Sequence, residues 1–420
     1  MGQSHEFSVN QLLSVAEALE RLLAEFSPVG EEDAPLAQVV GRVSAEAIIA
    51  SYDLPRFSNS SMDGFAVRAQ DVISATQDSP VRLHVIADIA AGVHPNAVLQ
   101  PGQCARIMTG AVIPDDANAV VPVEYTDFTH RNPGAPAPNS IQVFAAVRQG
   151  AYVRRAGEDL RAGETVYQAG TRFRPQDVGF LAMLGIANVR VRRKPKVAII
   201  SSGNELLPVD APLEPGKIYE SNSYTLISLV EKQGGMPLKL GIAADREDSI
   251  RQKLDLAVEM EADLIISTAG VSVGAFDFVR HVVEQHGSLS FWRVNMRPGK
   301  PLAFGNYKGI PFIGLPGNPV SAYVGFEVFV RPALAKLSGM VNFARTRSRV
   351  ILGESIESDG RESYLRAIVS SVDGKPVAHL TGHQGSGNMR SIVDANALIL
   401  LPSGVKSLPS GSEVWAWMLD

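Results

Sequence analysis

Arg297 and Lys300 stand on either side of a Pro-Gly pair in "RVNMRPGKPLAFG" (residues 293–305), with no acidic residue between them. Two cations on a turn stiffened by Pro298 and Pro301 are a ready receptor for an anion. The plainer alternative is a hairpin carrying two surface cations. A second stretch, "LPGNPVS" (315–321), enters an expected helix through Pro316, Gly317, Asn318 and Pro319. Ser321 falls in its first turn, where backbone amides have no partner within the helix. The two stretches together make an expected oxyanion pocket. In a third, "STAGVSVGAFD" (267–277), Gly270 and Gly274 let the backbone approach a ligand and Ser272 can hydrogen-bond it, while the next helix turns its positive end toward it. Phosphate is the expected guest, against a strand-to-helix turn that merely uses small residues. Asp277 closes this loop, and a carboxylate there repels phosphate unless a divalent cation stands between them; magnesium is the hard, oxygen-seeking choice. Glu205 in "SSGNE" and Asp245 in "ADRED" also follow strands, so the three carboxylates are an expected metal-holding set, although each could serve as a turn or capping residue. Neither GxxxxGK[ST] nor GxGxxG occurs, which removes the usual support for nucleotide hydrolysis and dinucleotide binding.

A different group of acids lies earlier in the chain. "LPRFSNSSMDGFAV" holds Asp63-Gly64, "RIMTGAVIPDDANAVVPVEYT" holds Thr109-Gly110 with Asp115 and Asp116, and "RRAGEDLRAGETV" holds Glu158 and Asp159. Turn chemistry accounts for most of them singly. It does not account for their interleaving with Arg106, Arg154 and Arg155.

These loops need a frame. Apolar residues at helical spacing over 10–26, with Ser8 or Asn10 as cap, predict an amphipathic opening helix. From about 50 to 163, short β-branched runs such as "VRLHVIADI" and "AVVPVEY" alternate with Gly, Pro, Asn and Asp, which predicts a β-rich region with long loops. After "VRVRRKPK" a strand-helix rhythm continues to about 337, which predicts a parallel sheet covered on both faces, with ligands beyond the carboxyl ends of its strands. The last 80 or so residues return to short strands, a small β-barrel or sandwich. The fold class is α/β multidomain. Its 420 residues are enough for about three domains. A net charge of -5 argues against a phosphate-coating nucleic-acid binder, so any anion site is local. One cysteine, Cys104, forms no internal disulfide, no Cys/His grouping has zinc spacing, and no run of about 18 apolar residues occurs. The amino terminus shows no basic leader with an apolar core. The expectation is a cytoplasmic protein with neither membrane nor nucleic-acid partner.

Eight ordered motifs, "NSSMDGFAV", "RIMTGAVIP", "GEDLRAGE", "SSGNEL", "GVSVGAFDF", "MRPGKPLAFG", "GLPGNPVSA" and "GHQGSGNMRS", closely resemble those of the molybdopterin molybdotransferases (bacterial MoeA and the E domain of gephyrin) and span about residues 54–391. The resemblance implies an N-terminal helix (1–30) packing on the α/β domain, a small linking domain (31–50 and 164–193), a β-rich inserted domain (51–163), a three-layer, mostly parallel, MogA-like molybdopterin-binding α/β domain (194–338) and a C-terminal β-barrel (339–420). It implies a homodimer that inserts molybdate, or tungstate, into adenylylated molybdopterin with magnesium and release of AMP, the final step of molybdenum-cofactor synthesis. A molybdopterin adenylyltransferase is the implied upstream partner. By position, Asp63, Thr109, Asp159, Glu205, Asp245 and Asp277 match catalytic positions, with those of the β-rich part acting across the dimer. The Gly-rich loop and Asp277 would hold the phosphate link and its metal. Arg297, Pro298, Lys300, Pro316, Gly317, Asn318 and Ser321 would await molybdate with Arg366 of "SYLRA" and Ser386 of "GHQGSG". Departures are Phe65 for a common Tyr, Ala269 for a second Gly, Arg293 and Arg297 for lysines, and no Gly after Asn396. Arg keeps the charge and adds a bidentate fork, so oxyanion binding is expected to survive. Two rival readings are the adenylyltransferase itself, for which the extra domains are superfluous, and a non-catalytic scaffold, against which the retained Asp63, Asp159 and Asp277 argue.

Overall fold

The structure, a computed structural model, describes residues 12–128, 134–268 and 278–419. Their chain forms two compact units, one from the described residues up to 46, 169–179 and 187–419, the other from 47–168 and 180–186.

In the first unit, seven strands form one sheet in the order Leu12–Leu13, Gly287–Val294, Pro301–Tyr307, Ile310–Leu315, Leu264–Thr268, Lys196–Ser202, Met236–Ala243. The last four run parallel, and Gly287–Val294, Pro301–Tyr307 and Ile310–Leu315 pair antiparallel. The sheet is therefore mostly parallel, as the strand-helix rhythm predicts. Both faces are buried. Val197, Ile199 and Ile266 join a core with Leu226, Val230, Val324 and Phe329, while Ala198, Ile200 and Ile265 join another with Ile250, Leu254, Val279 and Val283. That period-two sorting of a continuous apolar strand gives three layers. Strand Lys196–Ser202 lies next to the edge strand, and the chain crosses from it to Met236–Ala243 at the edge and then back to Leu264–Thr268 on its other side. The carboxyl ends of Lys196–Ser202 and Leu264–Thr268 are thus the switch point at which a ligand crevice is expected.

The opening helix is shorter than its periodicity implies. It spans Val15–Ala24, capped by Ser14, whose hydroxyl accepts from Glu17 N while the Glu17 carboxylate takes Ser14 N at 2.9 Å. Leu12 and Leu13 extend the sheet beside Arg293 and Val294 instead. This reciprocal cap fixes the start at Ser14 and overrides the helical spacing upstream; Ser8 and Asn10 lie outside the described residues. The closing helix is also interrupted: Pro319–Gly325 and Arg331–Leu337 flank a π-helical segment, Phe326–Val330. Pro332 cannot donate to the preceding turn, and a widened turn absorbs the missing bond.

Downstream, Ser348–Leu352, Glu362–Val372, Lys375–Leu380, Ala397–Leu401 and Glu413–Met418 close into a five-stranded barrel, since Glu362–Val372 pairs with both Lys375–Leu380 and Ala397–Leu401. Leu365 and Ala367 fill the barrel, whereas Tyr364 belongs to the α/β core. Alternation then puts Arg366 on the same outer side as Tyr364. The second unit is built on the sheet Ala119–Pro122, Gly64–Val67, Gln103–Ile107, Val81–Ile89, Ser140–Val143. Among the described residues no helix is long and apolar enough to cross a membrane.

Candidate active site

The short strand Met296–Arg297 pairs in parallel with Glu362–Val372, setting Arg297 opposite Ser363, three residues before Arg366. Arg366 is 1% exposed. Its Nε donates to Ser391 Oγ at 3.1 Å and its Nη2 to the Gly385 carbonyl at 3.1 Å, and among the described residues no carboxylate pairs with it. Burial first, and the Arg297 charge second, push its guanidinium down to about 10. A buried cation facing another cation and neutral acceptors is a site short of an anion. Asp359, the acid within reach of Arg297's field, is committed to Arg361, which takes it at 2.9 Å and is the main reason its carboxyl lies below the usual range.

The Pro316–Ser321 turn meets this region from the α/β side. Asn318 Nδ2 donates to Ser386 Oγ at 3.1 Å, Val320 N donates to the Ser386 carbonyl at 3.0 Å, and Ser321 is buried. Gly299 takes φ +98°, and a side chain there would lie 3.7 Å from the Ser321 carbonyl, so the Arg297–Lys300 turn and Ser321 are neighbours. Pro298 is buried and Lys300 exposed on that turn. Arg297, Pro298, Asn318, Ser321, Arg366 and Ser386 are therefore brought together from loops that are up to 89 positions apart in sequence, counted from 297 to 386.

Glu205 and Asp245 follow adjacent strands. Asp245 Oδ2 accepts from Asn204 N at 3.0 Å, and Asn204 Oδ1 accepts from Asp245 N at 3.1 Å, so reciprocal bonds lock the two loops. A side chain at Gly203 would meet the Glu205 carboxyl at 2.6 Å and push it from its place. Two carboxylates at strand ends are the oxygen donors magnesium takes alongside a substrate phosphate, so the residues present fit that ion. Gly270, Ser272, Gly274 and Asp277 lie outside the described residues, and among the described ones no group of three acidic, His or Cys residues could hold a metal.

In the second unit, Asp63 Oδ1 accepts from both the amide and the hydroxyl of Thr109, each at 2.7 Å. The amide bond first and the hydroxyl second hold the Asp63 carboxyl below its usual range. These two residues line a cavity of 580 Å³ with Arg106, Glu124 and Phe128. Arg106 is fixed by Asp88, and Phe65, fully buried, packs edge-on to Phe128. Asp159 pairs instead with Arg154 and lines a separate depression with Arg155 and Arg161. The structure joins Asp63 to Thr109 and leaves Asp159 apart from them.

One buried acid escapes motif reading. Glu220, 4% exposed, accepts from Ser201 Oγ at 3.0 Å and Ser223 N at 2.7 Å, and Thr268 Oγ1 donates to Ser201 Oγ at 3.1 Å. It sits at the switch point. The signal is "YESNS", an acid directly before a Ser-Asn helix start.

The profile of the MoeA N-terminal region (domain I and II) matches residues 13–185, that of a probable molybdopterin binding domain residues 198–336, and that of the MoeA C-terminal region (domain IV) residues 349–419. A molybdopterin molybdenumtransferase of Nostoc is 37% identical over 89% of this chain and 85% of its own length. One of Bacillus subtilis is 36% identical over 96% and 93%. The crystal structure of a molybdopterin biosynthesis moeA protein from Pyrococcus horikoshii is 33% identical with a TM-score of 0.83, over 97% of this chain and all of that one.

Proposed function

The chain belongs to the molybdopterin molybdenumtransferases, and from that premise we propose that it inserts the metal of molybdate into adenylylated molybdopterin with release of AMP, closing molybdenum-cofactor synthesis in the cytoplasm. The observation that carries this reading is the buried, acid-free Arg366 beside Arg297, with Ser386 and Ser321 around them.

Molybdate is a tetrahedral dianion. Arg297 and Arg366 offset its charge, the Ser321 and Ser386 hydroxyls donate to its oxygens, and Lys300 adds a cation at the rim; Pro298 and the Pro316-Gly317-Asn318 turn keep that shape before the anion arrives. Among the described residues Arg366 has no carboxylate of its own, which leaves its charge to the substrate. The crevice at the ends of Lys196–Ser202 and Leu264–Thr268 takes the pterin and its phosphate link, with Gly270, Ser272 and Gly274 as phosphate ligands. Glu205, Asp245 and Asp277 would hold magnesium, which when bound offsets negative charge on the phosphate link. Catalysis then rests on positioning and charge compensation more than on proton transfer. Asp63, Thr109 and Asp159 are assigned as further catalytic residues, supplied by the second copy of a homodimer, and an upstream adenylyltransferase delivers the substrate.

The test is AMP release from adenylylated molybdopterin by the purified protein with magnesium, with and without molybdate and with tungstate in parallel. Oxyanion-dependent release that leaves metal on the pterin is expected. Tight binding of the adenylylated pterin without release would refute the reading and point to a carrier or scaffold.

A further inference from the structure

Beside the oxyanion pocket runs a chain of hydrogen bonds that none of the assigned residues explains. It begins at the switch point, where Thr268 Oγ1 donates to Ser201 Oγ and Ser201 Oγ to Glu220 Oε1. Glu220 then takes the amide and hydroxyl of Ser223, the first turn of helix Asn222–Lys232. No cation pairs with this buried carboxylate among the described residues. Hydroxyls, an amide and the positive end of the helix stabilise it, and they tie the helix start to the end of strand Lys196–Ser202.

The next residue outward is Asn222. Its Nδ2 donates to the Gly317 carbonyl at 2.7 Å, the shortest distance in this chain that involves a side-chain amide and the turn. Gly317 precedes Asn318, whose Nδ2 holds Ser386 Oγ, and Val320 N holds the Ser386 carbonyl. Arg366 in turn grips the Gly385 carbonyl. The place of the Ser386 loop, and of Arg366 against it, thus depends on where the Gly317 peptide stands. That peptide lies between the exposed Gly317 and Asn318, and its carbonyl is pinned by Asn222.

We propose that Asn222, anchored through Glu220, is a positioning residue for the oxyanion: it fixes the Gly317 peptide so that Asn318, Ser386 and Arg366 keep the spacing a tetrahedral dianion needs. The inference rests on reading this pocket as the molybdate site. It assigns Asn222 no contact with substrate. Because the same helix start is bonded to the switch point, placing of the oxyanion is set from the floor of the proposed pterin crevice.

The experiment titrates sodium molybdate alone, by calorimetry, into the full chain and into Asn222→Ala, Asn222→Asp and Asn222→Gln, with thermal unfolding of each. The Asp variant keeps shape and loses the donor; the Gln variant keeps the donor. Loss of one such bond should weaken molybdate binding about fivefold to tenfold in the Ala and Asp variants, with Gln within about threefold of the unaltered chain. In turnover, the KM for molybdate should rise in the same proportion, with kcat and the KM for adenylylated pterin unchanged. Equal molybdate affinity in the Asp variant overturns the proposal. So does a matching loss of affinity and melting temperature in all three variants, which would make Asn222 a folding residue only. If the unaltered chain binds no molybdate, the pocket reading itself fails, and the inference with it.

Discussion

Arg366→Met tests the central physical claim, because it removes the charge and keeps much of the volume. A guanidinium pushed down to about 10 from an ordinary value of about 12.5 costs the fold about 3 kcal/mol. The sign follows from which form suffers: the folded state disfavours the charged form, so the cost is complete below pH 10 and fades as pH rises through 10 toward the unfolded value. At neutral pH it is present in full, and methionine relieves it. Against that relief, the Gly385 carbonyl and Ser391 hydroxyl lose the donors they have at 3.1 Å, a penalty of about 1–3 kcal/mol. The two contributions nearly cancel, so ligand-free stability should change by no more than about 2 kcal/mol. Binding should respond differently. Two charge-assisted bonds to the oxyanion are together worth about 3 kcal/mol, or roughly 100-fold in affinity. Molybdate at about 100 times its Kd should then stabilise the unaltered chain by about 2.7 kcal/mol and the variant by about 0.4 kcal/mol. Urea unfolding at pH 7, with and without molybdate, reads both quantities from one pair of curves. A variant that is severely destabilised without ligand, or equally stabilised by molybdate, refutes the claim that this cation is held unpaired for an anion.

Thr109→Val removes one of the two donors to Asp63 and keeps the amide, so the Asp63 carboxyl should titrate at higher pH than in the unaltered chain and still below the usual range. A carboxyl depressed by folding contributes stability above its ordinary value of about 3.9 and loses it as pH falls through the folded value, so acid unfolding of the variant should begin at higher pH; carboxyl NMR titration checks the shift. Glu327→Gln should cost about 3–5 kcal/mol in urea unfolding, because Glu327 is 4% exposed and bridges Arg345 and Arg331, two partly buried arginines that would then face each other unpaired. A loss under about 1 kcal/mol would show that these arginines find other partners.

How much of this was legible in the sequence depended on the range of the interactions concerned. The α/β region was readable because Lys196–Ser202 and Leu264–Thr268 carry the uninterrupted apolar runs VAII and LII, a signal written within single segments. The start of the first helix was misplaced because a local cap, Ser14 with Glu17, outweighed spacing that carries on upstream of it. The cations of the 293–305 turn were visible by their charge, but their meaning was not. What makes Arg297 and Arg366 a receptor is that, among the described residues, no carboxylate pairs with Arg366 and the acid near Arg297, Asp359, is committed to Arg361; that is a property of which loops meet, fixed by the Met296–Arg297 pairing with the barrel strand. The family resemblance supplied Arg366; spacing alone could not.

Glu220 and Asn222 show the same limit from the other side. A Glu before Ser-Asn reads as ordinary helix-start chemistry, and for Ser223 it is that. Nothing local says that its second partner is Ser201, nineteen residues back, or that the neighbouring Asn222 reaches Gly317, ninety-five residues on. A helix cap is usually a means of ending one element. Here Glu220 and Asn222 also join a strand end, a helix start and a turn, so a change that leaves the helix intact can still move the pocket. Stability and function should therefore separate at this point of the chain: Asn222 spends its bond on the neighbouring turn and Glu220 spends its bonds on the fold. Substitutions at Asn222 should be read in oxyanion affinity, and those at Glu220 in unfolding free energy first.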